Sequence, residues 1–271
     1  MKMISYFIRN ITANRRMIFW SIGVSIVIGV LTVLSLKIGR PTTNISVYRQ
    51  SFALSFAFVY GFSCSTSAAA ISASYASQSR SFGFLFKRLN ISKTEYTGSL
   101  LTGIGVAFLM NAAILFPLEL ILIELRFGYW ALPPDIVFSI PLIFLVSVAD
   151  GLIFAVIALA ITSVILIISG FRLLSLAKYF PFLLYIITFI LMTNGLHGIL
   201  EDVFPYSSVF YIFNFLYTGS DTFYMNVIHP FQPDLIISSL SIGIYLVVSA
   251  GILYFLMDHI YIQGGENDRQ F

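Results

Sequence analysis

Asp150 is the residue in this chain with the strongest claim to chemistry. It lies inside the apolar stretch Ile136 to Ser169, which holds no other charged residue. An ionisable group at that depth in a membrane is costly and ordinarily faces a partner or water. Asn111, in the neighbouring apolar stretch, stands at comparable depth, so a structural hydrogen bond between the two is expected. A proton-relay or substrate role for Asp150 is the sharper alternative. A fourth span starting near Asp150 would instead leave it close to the interface. Glu119 and Glu124 are expected in water, at the outer end of the third span. The lone cysteine, Cys64 in Ser63-Cys64-Ser65, reads as a small packing residue and excludes an intramolecular disulfide or a multi-cysteine metal site. His197, His229 and His259 fall near predicted span ends or loops, which argues against haem or a metal centre. The sequence has no Gly-x-x-x-x-Gly-Lys-[Ser/Thr], no His-Glu-x-x-His and no Gly-x-Ser-x-Gly. It is therefore not expected to be an enzyme or to bind a nucleotide itself.

The elements that must position these residues follow from composition. Of 271 residues, 58% are hydrophobic and only 10% charged, with 27 Phe and 15 Tyr. Soluble domains carry roughly a quarter charged residues, so the pattern predicts an all-α polytopic membrane protein. The net charge of +3 says nothing for nucleic acid, because the basic residues flank apolar segments.

The chain reads as one transmembrane domain, 1–271, with six spans. Residues 1–16 place Ile4, Phe7, Ile8 and Ile11 at helical spacing among Lys2, Arg9, Arg15 and Arg16, which predicts an amphipathic interfacial helix. The spans are predicted over about 17–36, 52–76, 97–125, 136–169, 179–193 and 235–257. No small-residue cleavage site follows Leu36, so the first is expected to stay uncleaved. The second is rich in small and hydroxyl residues after Gly61, which suits close helix packing. Pro117 is expected to kink the end of the third. The fourth, about 51 Å long as one helix, must tilt, project or break, with Pro141 and Asp150-Gly151 the predicted break points. Residues 194–233 have no Lys or Arg and ten Phe or Tyr. They suggest a pair of short helices dipping into the outer interface, their rings at headgroup depth. With the N-terminus inside, the inner segments hold Lys2, Arg9, Arg15, Arg16, Arg80, Lys87, Arg88, Lys93, Arg172, Lys178 and Arg269. The outer loops hold only Lys37, Arg40, Arg49 and Arg126. That bias predicts both termini in the cytoplasm.

One cytoplasmic loop, 79–96, stands apart. It reads Ser-Arg-Ser-Phe-Gly-Phe-Leu-Phe-Lys-Arg-Leu-Asn-Ile-Ser-Lys-Thr-Glu-Tyr, with four basic residues interleaved among Phe82, Phe84, Leu85, Phe86 and Leu89. The mix suits a short amphipathic helix with one face left for a partner. Ser92-Lys93-Thr94-Glu95 is a capping box that restarts the chain as a helix.

This loop resembles the one between the second and third spans of ABC transporter type-2 permeases. The positions that carry the likeness are Arg80, Gly83, Leu85 to Leu89, Asn90-Ile91 and Ser92 to Tyr96. The acidic residues which that family has around the Gly are replaced here by Ser79, Ser81 and Phe84. The six-span order, the amphipathic N-terminus and the re-entrant stretch before the last span extend the likeness along nearly the whole chain.

The resemblance implies the membrane subunit of an ATP-driven exporter in a prokaryotic plasma membrane. It would be powered by a separate ATPase subunit that holds ATP and Mg. A second permease chain, identical or related, would pair with it around the pathway. Phe82, Phe84, Leu85, Phe86, Lys87, Arg88 and Leu89 would form the coupling helix seated on the ATPase. The same residues could instead hold the loop to anionic lipid. The first, second and fifth spans would surround the pathway, which makes Ser21, Ser25, Ser63, Thr66, Tyr185 and Thr188 candidates for its lining. The short outer loops favour a substrate that partitions from the membrane, such as a lipid, hydrophobic drug or peptide, with a glycan also open. The alternative is an ion-coupled carrier or channel with Asp150 as the coupling carboxylate; it leaves the 79–96 loop unexplained and has no visible repeated half.

Overall fold

The computed structural model describes residues 2–36, 45–79, 91–169, 179–193, 204–220 and 232–267. Among these every regular element is helical. The order is α1 (Lys2–Thr12), α2 (Arg15–Ile18), a π-helical turn (Phe19–Gly23), α3 (Val24–Ser35), α4 (Ile45–Ser79), α5 (Lys93–Phe127), α6 (Ile136–Ser169), α7 (Phe180–Thr193), α8 (Pro205–Thr218) and α9 (Leu235–Asn267). Four helices are long and apolar enough to cross a membrane: Tyr48–Ser79, Lys93–Phe127, Ile136–Ile168 and Leu235–Leu256. Phe19–Ser35 and Phe180–Ile190 are shorter apolar segments. The chain is thus an all-helical, multi-pass membrane protein by the length and apolarity of its helices. The Phe82–Leu89 segment lies outside the described residues.

Local chemistry sets the helix ends. Ser92 caps α5, its hydroxyl accepting from the Glu95 amide at 3.1 Å. Gly128, at φ +72°, ends that helix in the left-handed conformation a side chain would resist. Asp135 Oδ1 accepts from the Phe138 amide at 3.3 Å and opens α6, and Asp234 Oδ1 accepts from the Ile236 and Ile237 amides and opens α9. Pro205 in the first turn of α8 and Gly219 at φ +72° beyond its end follow the usual asymmetry.

Two expectations differ from the structure. The first span is not one regular helix, since a π-helical turn at Phe19–Gly23 interrupts it. α6 does not break at Pro141 or Asp150-Gly151 but runs as one 34-residue helix. Its ring-bearing neighbour compensates at Gly151, where a Cβ would overlap the Phe108 ring, so the glycine serves close helix approach rather than a break. α5 runs through Pro117 to Phe127 as one helix of 35 residues.

α4 and α6 form the centre. α5 and α8 pack against both, α3 lies on α4 and α5, α7 on α4, and α9 on α6 and α8. α1 does more than lie on a membrane surface. Phe7, 2% exposed, meets Tyr96 of α5 edge-on at 5.2 Å, and Gly103 leaves the notch that Phe7 fills. Ile11 is buried beside it, while Tyr6 and Arg9 face outwards.

α8 is the second surprise. Its aromatic side chains were expected at headgroup depth, yet Tyr206, Phe210, Tyr211, Phe213 and Tyr217 are all buried in the bundle. Tyr206 stacks on Phe154 of α6 at 3.9 Å, and Tyr217 stacks on Phe52 of α4 at 4.3 Å. In α7, Phe182 meets Phe62 and Phe189 meets Phe58. α7 and α8 therefore both run antiparallel to α4, two successive helices pointing the same way. The 128–134 connection closes over the far end of α8. Tyr217 donates to the Ala131 carbonyl, Arg49 Nε donates to that of Leu132 at 2.6 Å, and Tyr48 stacks on Tyr129 at 4.7 Å.

Candidate functional site

Two buried carboxyl groups and an amide define the polar interior. They are held by three helices whose small residues and hydroxyls face one another, as the composition of α4 foretold.

Asp150 sits near the middle of α6, 3% exposed, so it is not at an interface. Its expected partner is not its partner. Asn111 donates instead to Ser63 Oγ and Ser67 Oγ of α4, each at 3.3 Å. The two serines lie one turn apart and together take both amide hydrogens. Asp150 is in hydrogen-bonding contact with the Cys64 thiol. Cys64 is buried and free. Tyr60, Tyr185 and Tyr206 lie near enough to interact electrostatically with the pair. Tyr60 donates to the Ser147 carbonyl at 2.8 Å and is within 3.2 Å of that of Phe108, joining α4, α5 and α6. Tyr185 donates to the Phe58 carbonyl at 2.6 Å, tying α7 to α4. Tyr206 contributes a buried hydroxyl with no hydrogen-bond partner. A buried carboxyl group beside a thiol, with phenols nearby, has the parts to hold a proton.

Glu119 is the functional residue that sequence reasoning misplaced. It is fully buried rather than solvated. Its Oε2 accepts from Ser55 Oγ at 2.9 Å, while Oε1 has no partner. The carboxylate fills a notch on α3, where a Cβ at Gly29 would overlap it. α5 continues two turns past Glu119, and this carries the residue inside the bundle. The signals were Gly29 and Ser55, one in each facing span, and neither is informative until the register of the helices is known. Glu124, near the end of α5, is only half-buried.

The pathway candidates, all buried except the half-buried Thr66, divide among helix interfaces. Thr66 donates to Phe62 and Ser63 carbonyls of its own helix and lies 3.5 Å from the Trp20 carbonyl. Thr188 donates to the Leu184 carbonyl. Ser63 serves Asn111, and Tyr185 serves Phe58. Ser21 and Ser25 are buried with unpartnered hydroxyls, on the inward face of the first apolar segment. The coupling residues Phe82 to Leu89 lie outside the described residues.

No family model, curated protein or solved structure matches this chain.

Proposed function

We propose that the chain is the permease subunit of an ATP-driven transporter of the ABC type-2 class, an exporter powered by a separate ATPase subunit. The observation that carries this reading is the docking of α1. An amphipathic N-terminal helix that only anchored the chain would turn its apolar face to lipid. Here Phe7 and Ile11 pack on α5 within three turns of Ser92, where the basic loop ends. Lys93 also places its ammonium 5.0 Å from the Tyr254 ring of α9. The inner ends of α1, α5 and α9 are thereby joined beside the loop.

α4 and α5 each have 35 residues, about 52 Å of helix, against a hydrocarbon core of roughly 30 Å. They are long enough to carry the loop between them clear of the membrane. A protein that seated the Phe84, Phe86 and Leu89 side chains would move α4 and α5 together, with α1 as a brace. Two such chains, alike or related, would enclose the pathway between them. The substrate class the short loops favour is a lipid, hydrophobic drug, peptide or glycan. On this reading the complex sits in a prokaryotic plasma membrane with both termini in the cytoplasm.

A second reading, an ion-coupled carrier, draws on the buried Asp150 with its thiol and tyrosine neighbours. Affinity capture from native membranes in mild detergent separates the two. A P-loop ATPase retained in fixed proportion by the wild type, and lost on Phe86→Asp with Leu89→Asp while the chain stays folded, is the expected result. Undiminished association of the double variant would overturn the assigned docking segment.

A further inference from the structure

The π-helical turn in the first apolar segment borders a cavity of about 220 Å³ between that segment, α1 and α5. Met17, Ile22, Ala107, Met110 and Ile114 give it an apolar wall, with Thr12, Ser21 and Asn111 as its polar members. Met110 and Ile114 are exposed on the membrane-facing side of α5, so the cavity opens towards lipid rather than towards either aqueous face.

Ser21, Ser25, Ser72 and Ser238 are buried serines with unpartnered hydroxyls, and of these Ser21 lines this cavity. A serine or threonine in a membrane helix normally donates to the carbonyl one turn back. Thr12, Ser147, Thr162, Ser163 and Thr188 all do so here. Ser21 is 1% exposed and its Oγ has no partner. It lies within the π-helical turn, whose wider ladder displaces the carbonyls from their usual positions. Such turns are frequent at functional sites. A buried hydroxyl without a bond is costly, and lipid offers it no water. Asn111, on the same cavity, commits its amide hydrogens to Ser63 and Ser67 and keeps its carbonyl as an acceptor.

We infer that this cavity is a lateral binding site for one hydrocarbon chain of an amphiphile, entered from the bilayer, with Ser21 donating to an ester or amide carbonyl of that molecule. The volume supports a segment rather than a whole solute, since sites for drug-sized ligands occupy roughly 300–1,000 Å³. The position supports the bilayer as source. Ile11 and Thr12, at the end of the amphipathic helix, flank one end, and Asn111, near mid-helix in α5, marks the other. A chain entering beside the interface would therefore run towards the membrane centre. This site is independent of how the protein is powered.

The test uses the full chain in lipid nanodiscs and a lysophosphatidylcholine with a diazirine in its ester-linked acyl chain. After illumination, labelled peptides are mapped by mass spectrometry. Labelling at residues 17–22 and 107–114 is expected to exceed labelling around Val247, on the lipid-facing side of α9, by at least fivefold. Met110→Trp, a change at an exposed position that plugs the mouth, is expected to bring it down to the Val247 level. The ether-linked analogue is expected to compete several-fold less well than the ester in the wild type, and equally well in Ser21→Ala. Labelling no greater than at Val247, or unchanged by Met110→Trp, would overturn the site. So would cross-links from this face to a second copy of the chain in place of lipid. Equal competition by ester and ether in the wild type would overturn the role of Ser21.

Discussion

At the scale of residues, the interior is organised by close approach. Gly29 and Gly151 each receive a neighbour's side chain, the Glu119 carboxylate and the Phe108 ring. Gly29→Val is expected to destabilise the protein by about 1–3 kcal/mol through overpacking, read as a lower melting midpoint in detergent. Glu119→Gln keeps an acceptor for Ser55 and is expected to melt close to wild type. A Glu119→Gln variant that unfolds would show that the carboxylate itself holds the helices. Asn111→Ala removes two interhelical hydrogen bonds, each worth about 0.6 kcal/mol in a membrane. A loss of about 1 kcal/mol is expected in reversible unfolding from mixed micelles.

These residues were only partly legible in the sequence. Asp150 and Asn111 stood out because a lone polar group in an apolar run is conspicuous whatever its neighbours. Their partners did not, because Ser63, Cys64 and Ser67 lie within about one turn of α4, the two serines facing α5 and the cysteine α6. A difference of one residue turns the side chain by about 100°, and only the packed structure decides which helix it meets. Glu119 failed for another reason. Three charges, Glu119, Glu124 and Arg126, cluster near the end of a span, and of these Glu119 is buried while Glu124 and Arg126, in the last turn of α5, are not.

At the scale of elements, the helix start at Ser92 and Glu95 was legible, whereas α4 begins at Ile45 and α9 runs to Asn267, outside the spans read from hydropathy. Ser92 with Glu95, Asp135, Asp234 and Gly128 are local signals, and they act where they stand. The π-helical turn was not legible, since its residues form an ordinary apolar helix by composition. Nor was the burial of α8, because Tyr and Phe serve equally at an interface and in a core. α1 gives the clearest element-scale test. Phe7→Asp is expected to detach α1 from α5 with the loss of the order of 3–5 kcal/mol that deleting a buried Phe side chain entails. Spin labels at Arg9 and Thr102, both at exposed positions, are expected to report one short distance in the wild type and a broad distribution in the variant. A narrow distribution retained in Phe7→Asp would show that α1 is held by something other than its apolar face.

At the scale of the molecule, hydropathy displayed the all-helical membrane class directly. The charge bias across the segments makes a further statement about orientation. In a Cys64→Ala background, a cysteine at Ser92 is expected to react with an impermeant maleimide only in inside-out vesicles, and one at Tyr129 only in right-side-out cells. The reverse pattern would invert the proposed topology and remove the basic loop from the cytoplasm.

The power source is the central question, and ATP hydrolysis by the captured assembly in nanodiscs addresses it most directly. Hydrolysis that scales with the amount of captured chain, and disappears with Phe86→Asp and Leu89→Asp, is the result this account requires. An assembly of this chain alone, without hydrolysis, that moves solute down a proton gradient and stops on Asp150→Asn would contradict it and establish the carrier.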